Sequence, residues 1–413
     1  MDYRTAPLQQ RVLDAAESTG SPRASFRAAA ARVILRTVND TCDVIVIGGG
    51  VAGTAAAVAA AAAGARTVLI SARPGATALC SGAWLGHMPR PLAERLAAED
   101  YVVTSAPERL PWPDGRLLTF DECEAAHAIV WGSRTLVCGI VGVPTFPASV
   151  LVDLWRERIP AALSSITIEL RGTPAAGWAP ASLARFIERN PAAFCEATAE
   201  HVRRTGADAL VVPTLLGLDT AGRTRSAIED RLGVRVFEAP GGTPSLAGWR
   251  LWRALGACLS RAGVTVIEGA VTGFASVGRQ VTEISAAGPS SEHRLTAATF
   301  VLATGKFLGG GITADGVFRE SVFGLPVRVE HLGERFERVE PLALTNAERS
   351  ARQPLLTAGV ATDGAGRPID PAGAVVLDNV LVAGVVRAGV EGGAMNLGNV
   401  AADGWAAGER AAA

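Results

Sequence analysis

The sequence predicts an α/β fold, a parallel sheet wound with helices and discontinuous along the chain, with a mixed α+β region inserted into it. Three observations predict it. Val44-Ile-Val-Ile47 is an unbroken β-branched run, as a parallel strand buried on both faces requires. Gly48-Gly-Gly50-Val-Ala-Gly53 follows at once and opens an alanine-rich stretch that lasts to Gly64. Arg66-Thr-Val-Leu-Ile-Ser71 then supplies a second strand, completing a strand–turn–helix–strand unit of about 30 residues.

The remaining elements follow in chain order. Residues 1–40 read as a separate helical extension, because Arg23 with Arg27 and Arg32 with Arg36 make two i,i+4 pairs that suggest one basic stripe. A targeting peptide, a membrane-surface contact, a docking arm or a plain solvated helix would all fit that stripe. One helix is expected over 180–205, then a short strand at Ala209-Leu-Val-Val-Pro213. Ser245 is placed to cap a helix over Leu246–Ala262. Val264–Glu268 continues as a strand into a hairpin-rich segment. Phe300-Val-Leu-Ala-Thr-Gly305 and Asn379-Val-Leu-Val-Ala-Gly384 read as buried strands, and a closing helix starts near Asn396. The resulting division places 41–90, 244–315 and 376–413 in the nucleotide-binding part and 91–243 and 316–375 in a cap or substrate part.

Composition narrows the function. With 413 residues, 49% of them hydrophobic and 19% charged, the chain has ample material for more than one core. A net charge of −1 gives no field to attract nucleic acid. The six cysteines form no C-x-x-C pair, so neither an iron–sulfur nor a zinc site is expected, and a reduced cytoplasmic setting fits. The longest apolar run, near Thr54–Ala65, is about a dozen residues, short of the ~20 that a membrane span needs.

The chemistry concentrates at the glycine turn. In a G-x-G-x-x-G turn Gly48 makes the tight bend, Gly50 lets backbone approach a pyrophosphate, and Gly53 lets helix and strand pack closely. Val51 and Ala52 bring the first helical N–H groups, which face phosphate charge. The acid that normally grips a ribose at the end of the second strand is missing: no acid occurs between Asp43 and Glu94. Ser71, Ala72 and Arg73 stand there instead, a weaker ribose partner and a phosphate partner. The small-residue loop Thr77-Ala-Leu-Cys-Ser81-Gly82-Ala83 could let a flat ring lie against its backbone, or be an ordinary polar loop. Ala303, Thr304 and Gly305 end a strand at the ligand-binding edge of such a sheet. Gly384, Asn396 and Leu397 present a glycine-rich helix start whose dipole would stabilise negative charge on a flavin's pyrimidine edge. Ala270 completes the candidate cofactor contacts.

These segments, in this order, resemble the fumarate reductase and succinate dehydrogenase flavoproteins, and more closely the family of B-type subunits of anaerobic glycerol-3-phosphate dehydrogenase. Phe237-Glu-Ala-Pro240…Pro244-Ser245-Leu-Ala-Gly248-Trp-Arg250-Leu251 is similar to that family's Phe-Glu-x-Pro…Pro-Ser-x-x-Gly-x-Arg-Leu stretch. So are Ala303-Thr-Gly-Lys306-Phe-Leu-Gly-Gly-Gly311 and Gly359-Val-Ala-Thr-Asp363. The resemblance covers residue 42 onward. It implies an FAD-binding subunit, with FMN as the alternative, that oxidises sn-glycerol 3-phosphate and passes electrons through a companion flavoprotein and an iron–sulfur subunit to quinone. It also implies a position on the inner face of the cytoplasmic membrane, reached only through those partners. The C-terminal loop Val390-Glu-Gly-Gly-Ala-Met-Asn-Leu-Gly lacks the family's Cys-Gly-Gly-Gly run, which leaves another small hydroxy- or amino-acid substrate open.

Catalytic groups are the least legible part. Lys306 and Arg319 flank the expected flavin edge and would suit an anionic substrate, and His87 lies just past the small-residue loop and would suit a base. A structural or surface role competes with catalysis at each. Two further readings stand beside the dehydrogenase. One is a non-catalytic structural or electron-relay flavoprotein subunit. The other is an NAD(P) enzyme with Arg73 at a 2′-phosphate, disfavoured by the Ala-Thr-Gly strand and the closing helix.

Overall fold

In a computed structural model the described residues are 36–72, 74–170, 179–241, 245–289, 291–314, 317–329, 344–348, 353–391 and 396–413. The chain divides into two units, Met1–Arg36 and Thr37–Ala413. The expected basic helix over residues 23–36 lies outside the described residues, save that Arg36 begins a strand, Arg36–Thr41.

The second unit is centred on a five-stranded sheet in the order Thr265–Glu268, Thr67–Ser71, Val44–Ile47, Thr299–Leu302, Val380–Val382. All four pairings are parallel. Register follows the sequence pattern: Ile47 sits opposite Ile70 on one side and Leu302 on the other. Alternate residues feed two different cores. Val44, Val46, Leu69 and Val301 pack with three helices, Val51–Ala62, Leu246–Arg261 and Leu397–Ala412. Ile45, Ile47, Ile70 and Phe300 pack on the other face with Ile284 and Leu295 of an antiparallel hairpin sheet. A strand covered on both faces has no side to leave polar, which is why these runs carry no alternation.

The alanines of the first helix have a packing reason. Gly404 and Gly408 of the closing helix lie so near it that a β-carbon at either would fall 2.1 Å from the carbonyl oxygens of Ala52 and Ala56. Two backbones this close tolerate only the smallest side chains on both surfaces. The Leu246–Arg261 helix starts as its sequence predicts: the Ser245 hydroxyl accepts from Gly248 N at 3.3 Å.

The region between residues 84 and 240 contains small antiparallel pairings and a second parallel sheet. Its order is Ala162–Ile168, Arg134–Ile140, Ala209–Pro213, Arg235–Ala239. Two cores cover its faces, one around Leu136, Phe194 and Leu210, the other around Val137, Trp155 and Val211. The single helix expected over 180–205 is two, Pro180–Arg189 and Pro191–Thr205. Pro191 has no N–H to donate inside a helix, so it begins a new one instead.

Candidate functional site

The glycine turn is held by backbone contacts that only glycine permits. Gly48 has φ +114°, and a β-carbon there would sit 2.3 Å from the Ala303 carbonyl oxygen. Gly48 N donates to Ile70 O at 2.8 Å and Ala303 N to Ile47 O at 2.8 Å, so three neighbouring strands converge on the bend. Thr77 braces it from outside the motif: its Oγ1 accepts the Val51 N–H at 2.9 Å. The residues flanking this helix start include no acid in the first turn, which suits an anion near the helix's positive end.

A cavity of about 580 Å³ opens at this edge of the sheet, a size suited to a bound cofactor. Gly48, Gly50, Val51, Ala52, Ser71, Ala72 and Ala270 line one stretch of it. Ala303, Thr304, Gly305, Lys306 and Leu397 line another. These twelve come from segments far apart in sequence, and the sheet topology brings them together. Thr77, Ser321, Leu356, Val385 and Val400 also line it and were missed by the sequence reasoning. Thr77 alone had a signal, its place in the small-residue loop.

Other candidates lie elsewhere. Gly53 lies in the first turn of the helix against the Gly48 carbonyl and does not line the cavity. Ser81 is buried, its hydroxyl donating to Ala83 O at 3.2 Å, and Gly82 packs on the His127 ring; neither lines the cavity. Gly384 N donates to Asp403 Oδ2 at 2.7 Å, leaving its neighbour Val385 as the lining residue. Asn396 precedes the closing helix and accepts from Asn399 Nδ2 at 2.8 Å, off the cavity wall. Arg73 lies outside the described residues.

The three catalytic candidates separate. Lys306 is 6% exposed and lines the cavity, but its Nζ donates to the carbonyl oxygens of Leu356 and Val390. Arg319 is an exposed residue of the strand Phe318–Glu320, away from the lining. His87 has a side chain 76% exposed and paired with Glu122 at 3.3 Å, also away from the lining. Nearness in sequence to the loop at 77–83 did not put His87 at the cavity: the last residue of that loop to line it is Leu79, and the His87 side chain is turned to solvent.

A second constellation is buried nearby and was not read from the sequence as a site. Arg250, Glu238, Glu124, His127 and Thr214 are all at most 8% exposed. Arg250 Nη1 donates to Glu238 Oε2 at 2.5 Å and Glu124 Oε1 at 3.2 Å, and Nη2 to Glu238 Oε1 at 3.0 Å. Burial alone would neutralise Glu238, but the Arg250 charge and hydrogen bonds outweigh it and hold this carboxyl below the usual range. Burial also opposes the Arg250 charge, and the two glutamates overcome it, raising its pKa further. Glu238 and Arg250 both fall in the Phe-Glu-x-Pro…Arg-Leu stretch, so the sequence marked them without showing what they do.

Among the described residues no group of three His, Cys, Asp or Glu side chains could hold a metal. Nor is any helix among them long and apolar enough to cross a membrane.

Comparison with known proteins bears on the same segments. The FAD binding domain family matches residues 43–116. A probable anaerobic glycerol-3-phosphate dehydrogenase of Halobacterium salinarum, in its B-type subunit, is 29% identical over 67% of this chain and 67% of its own. The corresponding B-type subunit of the anaerobic glycerol-3-phosphate dehydrogenase of Pectobacterium atrosepticum is 27% identical over 73% of this chain and 84% of its own. Among solved structures, 3-ketosteroid-Δ4-(5α)-dehydrogenase of Rhodococcus jostii is 14% identical with a TM-score of 0.38, covering 93% of this chain and 99% of its own. The chain is a flavin-dependent oxidoreductase with an FAD-binding domain, similar to the B-type subunits of anaerobic glycerol-3-phosphate dehydrogenase.

Proposed function

We propose that the 580 Å³ cavity holds FAD, and that the chain uses it to oxidise sn-glycerol 3-phosphate or a closely related small hydroxy substrate. The observation that carries the reading is continuity: one cavity is lined both by the glycine turn and by Ala303–Lys306 with Leu397. In this reading the pyrophosphate lies against Gly50–Ala52 at the helix start. Ser71 and Ala270 meet the adenosine half, the Ser71 hydroxyl replacing the absent acid. The ring end lies toward Lys306, Leu356 and Leu397. FAD would supply the two-electron acceptor; the protein's part is to bind and orient it and to keep water from its ring. Lys306 fixes the Leu356 and Val390 segments across the cavity, so it is the catalytic-site candidate retained here, ahead of His87 and Arg319. The names of the relatives support the substrate and the presence of companion subunits. In this reading those companions would carry the electrons away and make any membrane contact.

The domain division is proposed on packing. The five-stranded sheet and its three helices form the FAD-binding part, and the second parallel sheet forms the cap. Leu325, Val327, Ala358 and Val360 share a core with Ile45 and Phe300, which favours drawing those residues with the FAD-binding part.

One observation favours a second reading, in which this subunit relays electrons and a companion handles the substrate: among the described lining residues Lys306 is the sole titratable side chain. A visible spectrum of the purified chain, with mass analysis of heat-released flavin, tests the cofactor. FAD in the supernatant and bleaching by glycerol 3-phosphate are expected. FAD without bleaching would leave the relay reading, and a colourless protein that takes up no added flavin would overturn both.

A further inference from the structure

The buried constellation around Arg250 contains two polar atoms that lack a hydrogen-bond partner, Glu124 Oε2 and His127 Nδ1, and they lie 3.6 Å apart. Buried polar atoms are nearly always satisfied, so this pair calls for a hydrogen between them. The surrounding bonds fix where it comes from. Glu238 already receives four donors: Leu215 N, Leu216 N and Arg250 Nη2 at Oε1, and Arg250 Nη1 at Oε2. It is the ionised partner of Arg250. Thr214 Oγ1 donates its single hydrogen to Ala239 O at 2.8 Å, so its oxygen can only accept from His127 Nε2 at 3.1 Å. His127 therefore carries a hydrogen on Nε2. A second hydrogen on Nδ1 would make a buried imidazolium beside a buried carboxylate; a neutral acid and a neutral imidazole avoid both charges in a dry site.

We infer that Glu124 is a neutral carboxylic acid in the folded protein, its Oε2 hydrogen directed at His127 Nδ1, and that Glu124–His127–Thr214 positions the loop carrying Gly82. The chain of donors runs from Glu124 through His127 and Thr214 to Ala239, at the end of a cap strand. Glu124 N donates to Gly82 O at 2.8 Å, and the His127 ring packs so closely on Gly82 that a β-carbon there would meet Cε1 at 2.6 Å. One proton thus joins the cap strands to the loop at 80–83. The inference concerns protons alone and does not depend on the flavin reading.

The groups facing the pair come from every surrounding element: Arg250 on the Ser245-capped helix, Glu238 on its strand, Arg225, Tyr101, Cys80 and Cys123. Burial pushes the Glu124 carboxyl up to about 7 against the opposing pull of Arg250, and burial pushes His127 down to about 4. The raised group contributes stability that is full below the unfolded value of 4.5 and lost as pH rises to about 7. The depressed group contributes stability that is full above 6.5 and lost as pH falls to about 4. Between 4.5 and 6.5 the two cancel, because unfolding only moves a proton from Glu124 to His127.

Nitrogen NMR of the full chain with labelled histidine, at about pH 6, reads the pair directly. His127 is expected as a neutral imidazole bearing hydrogen on Nε2; an imidazolium, or hydrogen on Nδ1, overturns the inference. Denaturant titrations of variants give an independent reading. Glu124→Gln keeps a donor for Nδ1 and should lose folding equilibrium constant by about tenfold per pH unit as pH falls through 6.5 to 4. His127→Gln should show the opposite slope, about tenfold per unit as pH rises from 4.5 toward 7. Parallel, pH-independent losses in both variants would reduce the pair to packing and sink the idea, and the wild-type spectrum decides it if either variant fails to fold.

Discussion

The two parallel sheets obey the same folding logic and treat their strand ends oppositely. At the end of Val44–Ile47 the chain turns through glycines, carries no acid, and leaves a cavity. At the end of Ala209–Pro213 the chain also turns, but Leu215 N and Leu216 N both donate to the protein's own Glu238 carboxylate, and Arg250 closes over it. Backbone N–H groups collected past a strand end will bind an anion in either case. The first sheet leaves that place for a ligand; the second fills it with a side chain and becomes structural. Small residues and missing acids mark a binding edge, whereas a buried glutamate with its arginine marks a sealed one.

Substitutions can break or sharpen this contrast. The largest loss of stability is expected at the sealed edge: Arg250→Met would strand Glu238 as an uncompensated buried carboxylate and cost about 3–5 kcal/mol in urea unfolding. A loss below about 1 kcal/mol would mean that edge is not held by charge. Thr77→Val comes next. It removes the acceptor of Val51 N–H and should cost about 1–3 kcal/mol, with flavin released at a lower denaturant concentration than in the wild type. The smallest change in stability is expected from Gly50→Val, because a β-carbon there meets only Thr77 Oγ1 at 3.3 Å. A change of about 1 kcal/mol is expected at this helix N-cap, yet the side chain would fill the place of the pyrophosphate and abolish flavin absorbance. Full flavin content in that folded variant would remove the glycine turn from the binding site.

The open edge was legible and the sealed one was not, for a physical reason. Val44–Gly53, the Ser245 cap and the closing helix near Asn396 are local patterns, set by residues within a turn or two of each other. The break at Asn190–Pro191 was equally local and was passed over, since apolar spacing continues across it. Thr77 and the Glu124–His127–Glu238–Arg250 group depend on contacts between distant segments, and a lone glutamate or histidine carries no periodic signal. His87 and Arg319 show the converse error, where adjacency along the chain to a site loop suggested a role that the fold's geometry does not place at the cavity.

The close seating of Gly404 and Gly408 on Ala52 and Ala56 has a thermodynamic consequence for cofactor and chain alike. Leu397 and Val400, which line the cavity, belong to the same helix as those glycines, while Val51 and Ala52, which line it too, belong to the helix they touch. Docking of that late segment and completion of the binding wall are therefore one event. Any ligand that needs the wall prefers the docked state, and by mass action its binding energy adds to the stability of the helix–helix contact. Occupancy should then protect the amides of residues 397–412 against hydrogen exchange as strongly as those of the glycine turn, so that the cofactor serves as a clasp between two distant stretches of one polypeptide.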